Sequence, residues 1–186
     1  MASLQERVIG VLRLQESTFE EVEADASATP QAAIIVVIGA ISGAIGAFIT
    51  TPILGAVGAV VSIILALVGW GIASFILQIL GTKVMPGKNT SADVGQVLRT
   101  TGFAAAPKLF GILTVVPILG LLVGLLLGLW SLVAMVIGVK AALDYDDYVK
   151  PIVVCLITIV VMWVIIAIPM ALLFGAAMMA GAGAAR

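Results

Sequence analysis

Histidine is absent from this chain of 186 residues, cysteine occurs once, at Cys155, and charged residues make up only 10% of it. Without histidine there is no mixed His–Cys zinc cluster and no imidazole general base, and one cysteine cannot build a disulfide framework. A single cysteine in an apolar run behaves as a small hydrophobe. Nine Lys and Arg face ten Asp and Glu, a formal net charge of −1, so the chain lacks the basic patch that nucleic-acid binding requires. It also lacks a glycine-rich phosphate loop, a serine nucleophile elbow and a carboxylate pair inside an apolar run. No catalytic, cofactor-binding or metal-binding residue is assigned, and the expectation is a protein that is not an enzyme and carries no cofactor.

What is abundant is hydrocarbon. Hydrophobic residues form 62% of the chain, with a mean hydropathy of +1.28, against about 45–50% in average soluble domains. A soluble domain of this size could not cover that excess with polar surface. The expected fold class is therefore all-α: a polytopic integral membrane helix bundle.

The gaps between charges place the helices. Asp, Glu, Lys and Arg are missing from Gln31 to Thr82, from Leu109 to Val139 and from Pro151 to Ala185. One crossing needs about 20 apolar residues at about 1.5 Å each. The first gap thus holds two spans, about 31–49 and 55–80, broken at Thr50-Thr51-Pro52. The second gap breaks at Pro117 and Gly120 and gives spans of about 100–117 and 119–141. The third gives a span of about 151–177 with Pro169 as its kink. Five spans put Arg7, Arg13, Lys83, Lys88, Arg99, Lys140, Lys150 and the interfacial Lys108 on one side, and only Arg186 on the other. By the positive-inside rule the N-terminus is cytoplasmic and the C-terminus exterior.

Residues 1–30 form a separate acidic segment. Leu4, Val8, Val11 and Leu12 share one face of a short amphipathic helix. Ser17-Thr-Phe-Glu20 has the form of a capping box for a second helix, and Thr29-Pro30 that of a helix start. Two basic residues against six acidic ones do not make a polybasic lipid clamp. The segment is read as a solvated acidic face or as a dock for a basic partner.

Within the spans, small residues recur at helix-face spacing: Gly39 with Gly43, Ser42 with Gly46, and Gly120, Gly124 and Gly128 continued by Ser131. Such faces let helix backbones approach closely in lipid, where the hydrophobic effect between helices is weak. They either pack the chain's own helices or form an interface. Lys108 is the one cation placed within a span. It either snorkels to the headgroups or pairs with Asp93, Asp144 or a lipid phosphate. Apart from it, Ser62, Ser74, Gln78, Ser131 and Thr158 interrupt the apolar spans. The acidic loop Asp144-Tyr-Asp-Asp-Tyr148 resembles the opening of a calcium loop but lacks that loop's glycine and terminal glutamate.

The stretch Thr100–Leu122, TTGFAAAPKLFGILTVVPILGLL, with Trp130 and the Gly138-Val-Lys140 end of the fourth span, resembles the core of the Yip family of Ypt/Rab-interacting, five-span membrane proteins. Residues 4–33 are similar to the short lead-in of that family's prokaryotic members. The resemblance implies five spans, a cytoplasmic N-terminus and a prokaryotic plasma-membrane location. Eukaryotic relatives bind prenylated Rab-type GTPases in vesicle trafficking and carry a longer cytoplasmic domain, so small-GTPase binding is not carried over to this chain. The expected function is a non-catalytic scaffold or adaptor that contacts lipid and other membrane proteins or its own copies. The alternatives are a small accessory subunit of a larger, energy-transducing membrane complex, and an oligomeric transporter or channel.

Overall fold

The computed structural model describes the backbone of residues 2–50, 55–116 and 119–184, and the side chains of 2–45, 58–116 and 119–172. Those residues form seven α-helices and no strand: α1 (Leu4–Leu12), α2 (Glu16–Ala24), α3 (Thr29–Thr50), α4 (Gly55–Ile79), α5 (Val94–Ala104), α6 (Leu119–Ala142) and α7 (Val149–Ala184). Four stretches are long and apolar enough to cross a bilayer: Ala26–Ile45, Gly58–Val84, Leu119–Ala142 and Val149–Leu172. The breaks expected at Thr51-Pro52 and at Pro117, and the terminal Arg186, lie outside the described residues.

The stretch expected as the third span is not one helix. α5 ends at Ala104, and Ala106–Val115 continues as a 3₁₀ helix. Pro107 explains the change. It has no N–H to donate, and its ring disfavours α geometry in the residue before it. A 3₁₀ helix rises about 2.0 Å per residue, so ten residues cover about 20 Å where an α-helix would cover about 15 Å. The combined segment runs antiparallel to α6 along that helix's length. A β-carbon built on Gly138 would lie 3.2 Å from the Thr100 carbonyl oxygen. Phe110 stacks on Trp130 with ring centroids 6.3 Å apart. Thr114 lies against Gly120 and Gly124 near the start of α6. The same segment runs parallel to α3, pairing Gly102 with Ala32, Lys108 with Gly39 and Gly111 with Gly43.

One end of the bundle is tied together by polar contacts. The Thr90 hydroxyl donates to the Leu143 carbonyl at 2.6 Å, and the Tyr145 hydroxyl donates to Met85 O at 2.8 Å. The Lys150 ammonium donates to Pro86 O at 2.7 Å. The loops 85–93 and 143–148 therefore sit together.

The N-terminal segment forms two short helices docked on this end. Their boundaries follow from local chemistry, though not from the expected capping box. Ser3 and Glu6 form a reciprocal box at the start of α1, whereas α2 begins without a side-chain cap. Ser17 sits one residue inside the helix, too late to cap it. Asp25 caps the turn before α3, accepting from the Ser27 amide at 2.9 Å. Val11, Phe19 and Val22 are fully buried with Ala32, Ile35, Phe103, Ala134 and Ile137, so the hairpin completes the core of the bundle. α7 continues to Ala184, past the expected end near Ala177.

Candidate functional site

The two glycine faces and Lys108 converge. A cavity of about 260 Å³ is lined by Gly39 and Gly43 of α3, Lys108, Gly111 and Thr114 of the 3₁₀ segment, and Gly124 and Gly128 of α6. The 3₁₀ segment lies between the two faces and explains both. A β-carbon on Gly39 would approach the Lys108 β-carbon to 3.2 Å, and one on Gly111 would come within 3.1 Å of the Gly43 backbone nitrogen. Gly120 meets the Thr114 carbonyl so closely that no side chain fits there. Toward Gly43 and Gly128, by contrast, nothing lies within 4 Å of an added β-carbon. Gly39, Gly111 and Gly120 are thus points of helix contact, and Gly43 and Gly128 are open walls. Ser131, the last member of the α6 face, is outside the cavity; its hydroxyl is buried with no hydrogen-bond partner among the described residues.

Ser42 is the polar hinge of the site. Its hydroxyl donates to the Leu109 carbonyl at 2.9 Å and accepts from the Ile112 amide at 2.8 Å. Those two backbone groups have the i, i+3 spacing of a 3₁₀ hydrogen bond. The serine bridges them from the neighbouring helix, satisfying main-chain groups that lipid could not.

Apart from Ser131, the other polar groups of the spans are engaged internally. Ser62 donates to Ala59 O, Ser74 to Trp70 O and Thr158 to Val154 O, all within their own helices. Gln78 donates to Ala92 O at 3.2 Å, and Trp70 Nε1 to Leu98 O at 3.2 Å. Lys108 differs from all of these. Its side chain is exposed at the cavity, and among the described residues its ammonium has neither an ion-pair nor a hydrogen-bond partner. Asp93 does not reach it, because that carboxylate caps α5 and accepts from the Gln96 amide at 2.8 Å.

Electrostatics at the looped end hold the N-terminal hairpin in place. The Arg7 side chain, 1% exposed, donates to Asp25 at 2.6 Å, to Glu21 at 3.0 Å and to Gln31 at 3.0 Å. Donation from the Ser27 hydroxyl and then from Arg7 holds the Asp25 carboxyl down to about 2. The Lys140 ammonium pairs with Glu16 and lowers that carboxyl, while burial and the nearby Asp144 raise Glu23. Glu23 also accepts from Gln96 at 2.6 Å. Among the described residues no group of three or more potential metal ligands forms, and Asp147 of the acidic loop instead accepts from the Val149 amide at the start of α7.

Sequence reasoning overlooked Arg7, Gly111 and Gly102 as structural determinants. For Arg7 the available signal was an arginine on the helix face that also carries Leu4 and Val11. For Gly111 there was none, because its importance depends on which α3 residue faces it.

Apolar helices of bilayer length, a polar end closed by loops, and backbone groups satisfied by neighbouring helices define a helical integral membrane protein. The Yip1 domain matches residues 9–168. The chain belongs to the Yip family. No curated protein and no solved structure matches it significantly.

Proposed function

We propose that this chain is a non-catalytic membrane scaffold or adaptor that works through helix packing and lipid contact. The observation that carries the reading is α7. From Trp163 to Leu172 every residue is exposed, Trp163 by 72% and Leu172 by 69%. Ten residues are almost three helical turns, so this part of α7 is uncovered around its whole circumference. A soluble protein could not carry such a surface, whereas a membrane protein presents it to lipid or to another helix.

In this reading residues 94–116 complete a fifth crossing in α-then-3₁₀ form, supported by their antiparallel register with α6. The looped end with its cations faces the cytoplasm of a prokaryotic cell, supported by the positive-inside rule. The same uncovered α7 favours a second reading, a small accessory subunit of a larger membrane complex.

Purification from native membranes in mild detergent, with identification of co-purifying chains, separates the two. A defined partner lost on Trp163→Ala supports the scaffold. Membership of one fixed multi-subunit assembly supports the accessory role. A monomer that emerges without partners under every mild condition contradicts both.

A further inference from the structure

Lys108 borders a second, larger cavity of about 560 Å³ between α3 and α4, walled by Val36, Gly43, Leu65, Ala66 and Met135 among others. That volume falls in the range of about 300–1,000 Å³ typical of small-ligand sites. Its polar linings Ser62, Ser74 and Trp70 already hold partners, as described above. Thr101 is also engaged, donating to Val97 O at 2.6 Å. Lys108 alone has three ammonium donors and no acceptor among the described residues. The site therefore presents one unneutralised cation at the edge of an apolar trough. An uncompensated charge in a bilayer span is costly and calls for a counter-charge.

Complementarity then selects the ligand. A sugar or nucleotide needs several hydrogen-bonding groups, and those in the trough are engaged. An inorganic anion would satisfy Lys108 but leave the apolar wall unfilled. An amphiphile with one anionic head and a hydrocarbon body matches both parts. We infer that the trough binds an anionic glycerophospholipid, its phosphate on Lys108 and an acyl chain between α3 and α4. This deepens the lipid-contact part of the proposed function and does not depend on the identity of any protein partner.

Native mass spectrometry of the full chain in detergent, titrated separately with phosphatidylglycerol and phosphatidylcholine, tests the inference. The wild-type protein is expected to retain one phosphatidylglycerol with an affinity about tenfold above phosphatidylcholine, which corresponds to about 1.4 kcal/mol. Lys108→Met should abolish the preference and Lys108→Arg should keep it. Should Lys108→Met not fold, Lys108→Gln makes the same comparison. Gly43→Leu should lower retention of both lipids, because its side chain enters open space in the trough without meeting backbone. Leu121→Ala, at a residue that lines neither cavity, should leave retention unchanged. Equal retention of the two lipids by the wild type, or an undiminished preference in Lys108→Met, overturns the proposal. So does thermal stabilisation by glycerol phosphate as large as that by phosphatidylglycerol. Co-purification of protein partners is a separate readout, so failure here leaves the scaffold reading standing and failure there leaves this one.

Discussion

Ser42 and Ile112, 70 positions apart in the chain, are joined by a 2.8 Å hydrogen bond in which the Ile112 amide donates to the serine hydroxyl. Through the same oxygen Ser42 donates to Leu109 O, so one side chain of α3 stitches the irregular third segment to the bundle. Ser42→Ala leaves the Leu109 carbonyl and the Ile112 amide without this partner, and should cost about 1–3 kcal/mol. Ser62→Ala is the control. Its hydroxyl returns to its own helix at Ala59 O, and its loss should be nearly silent. Thermal unfolding of both variants in detergent checks the difference.

Arg7 ties α1 to the end of α2 through Glu21 and Asp25, and to α3 through Gln31. Arg7→Met removes a shared donor from two carboxylates. Glu21 keeps 40% exposure and Asp25 keeps its Ser27 donors, so the cost should be about 1.5–3 kcal/mol, that of a lost charged hydrogen bond. Limited proteolysis reports it: cleavage within residues 13–25 should rise in Arg7→Met while the spans stay protected.

Gly111 and Gly128 line the same cavity but should respond differently to alanine. At Gly111 the new methyl meets the Gly43 backbone, which has no flexible side chain to yield, and overpacking should cost about 1–3 kcal/mol. At Gly128 it meets open space, and the higher helix propensity of alanine should leave stability unchanged or slightly raised. Thermal midpoints in detergent for the two variants decide the matter.

Acid should release the hairpin late. The Asp25 carboxyl is depressed to about 2, below the unfolded aspartate value of about 3.9. A depressed acid contributes stability above its unfolded value and loses it as pH falls through its folded value. Docking by Asp25 should therefore persist at pH 4 and fade between about 4 and 2. Asp25→Asn should weaken that dependence and leave the part carried by Glu16 and Glu21. Hydrogen exchange of residues 4–24 across this range measures it.

The sequence was most legible where the rule was one of composition. Long charge-free runs placed α3, α4, α6 and α7, because a bilayer demands length and apolarity whatever the neighbours are. The amphipathic face of α1 was readable from periodicity: Leu4, Val8, Val11 and Leu12 recur at helical spacing. The break in the third segment was not read. Residues 100–117 read as one span although Pro107 lies among them, and the 3₁₀ continuation depends on Ser42, which is distant in sequence. The glycine faces were visible as patterns without partners. That Gly39 meets Lys108 while Gly128 meets nothing is decided by the course of the third segment between α3 and α6. The capping box at Ser17 failed because α2 begins at Glu16, two residues before that box required, with Gln15 in the cap position.

The most direct test concerns whether residues 94–116 cross the membrane. Single cysteines at positions 88, 116 and 146, in a Cys155→Ala background, can be probed in intact and permeabilised cells with a membrane-impermeant thiol reagent. The account predicts that 88 and 146 react only after permeabilisation, whereas 116 reacts in intact cells. Labelling of 116 and 146 from the same side would contradict it and make the α5–3₁₀ segment a re-entrant turn.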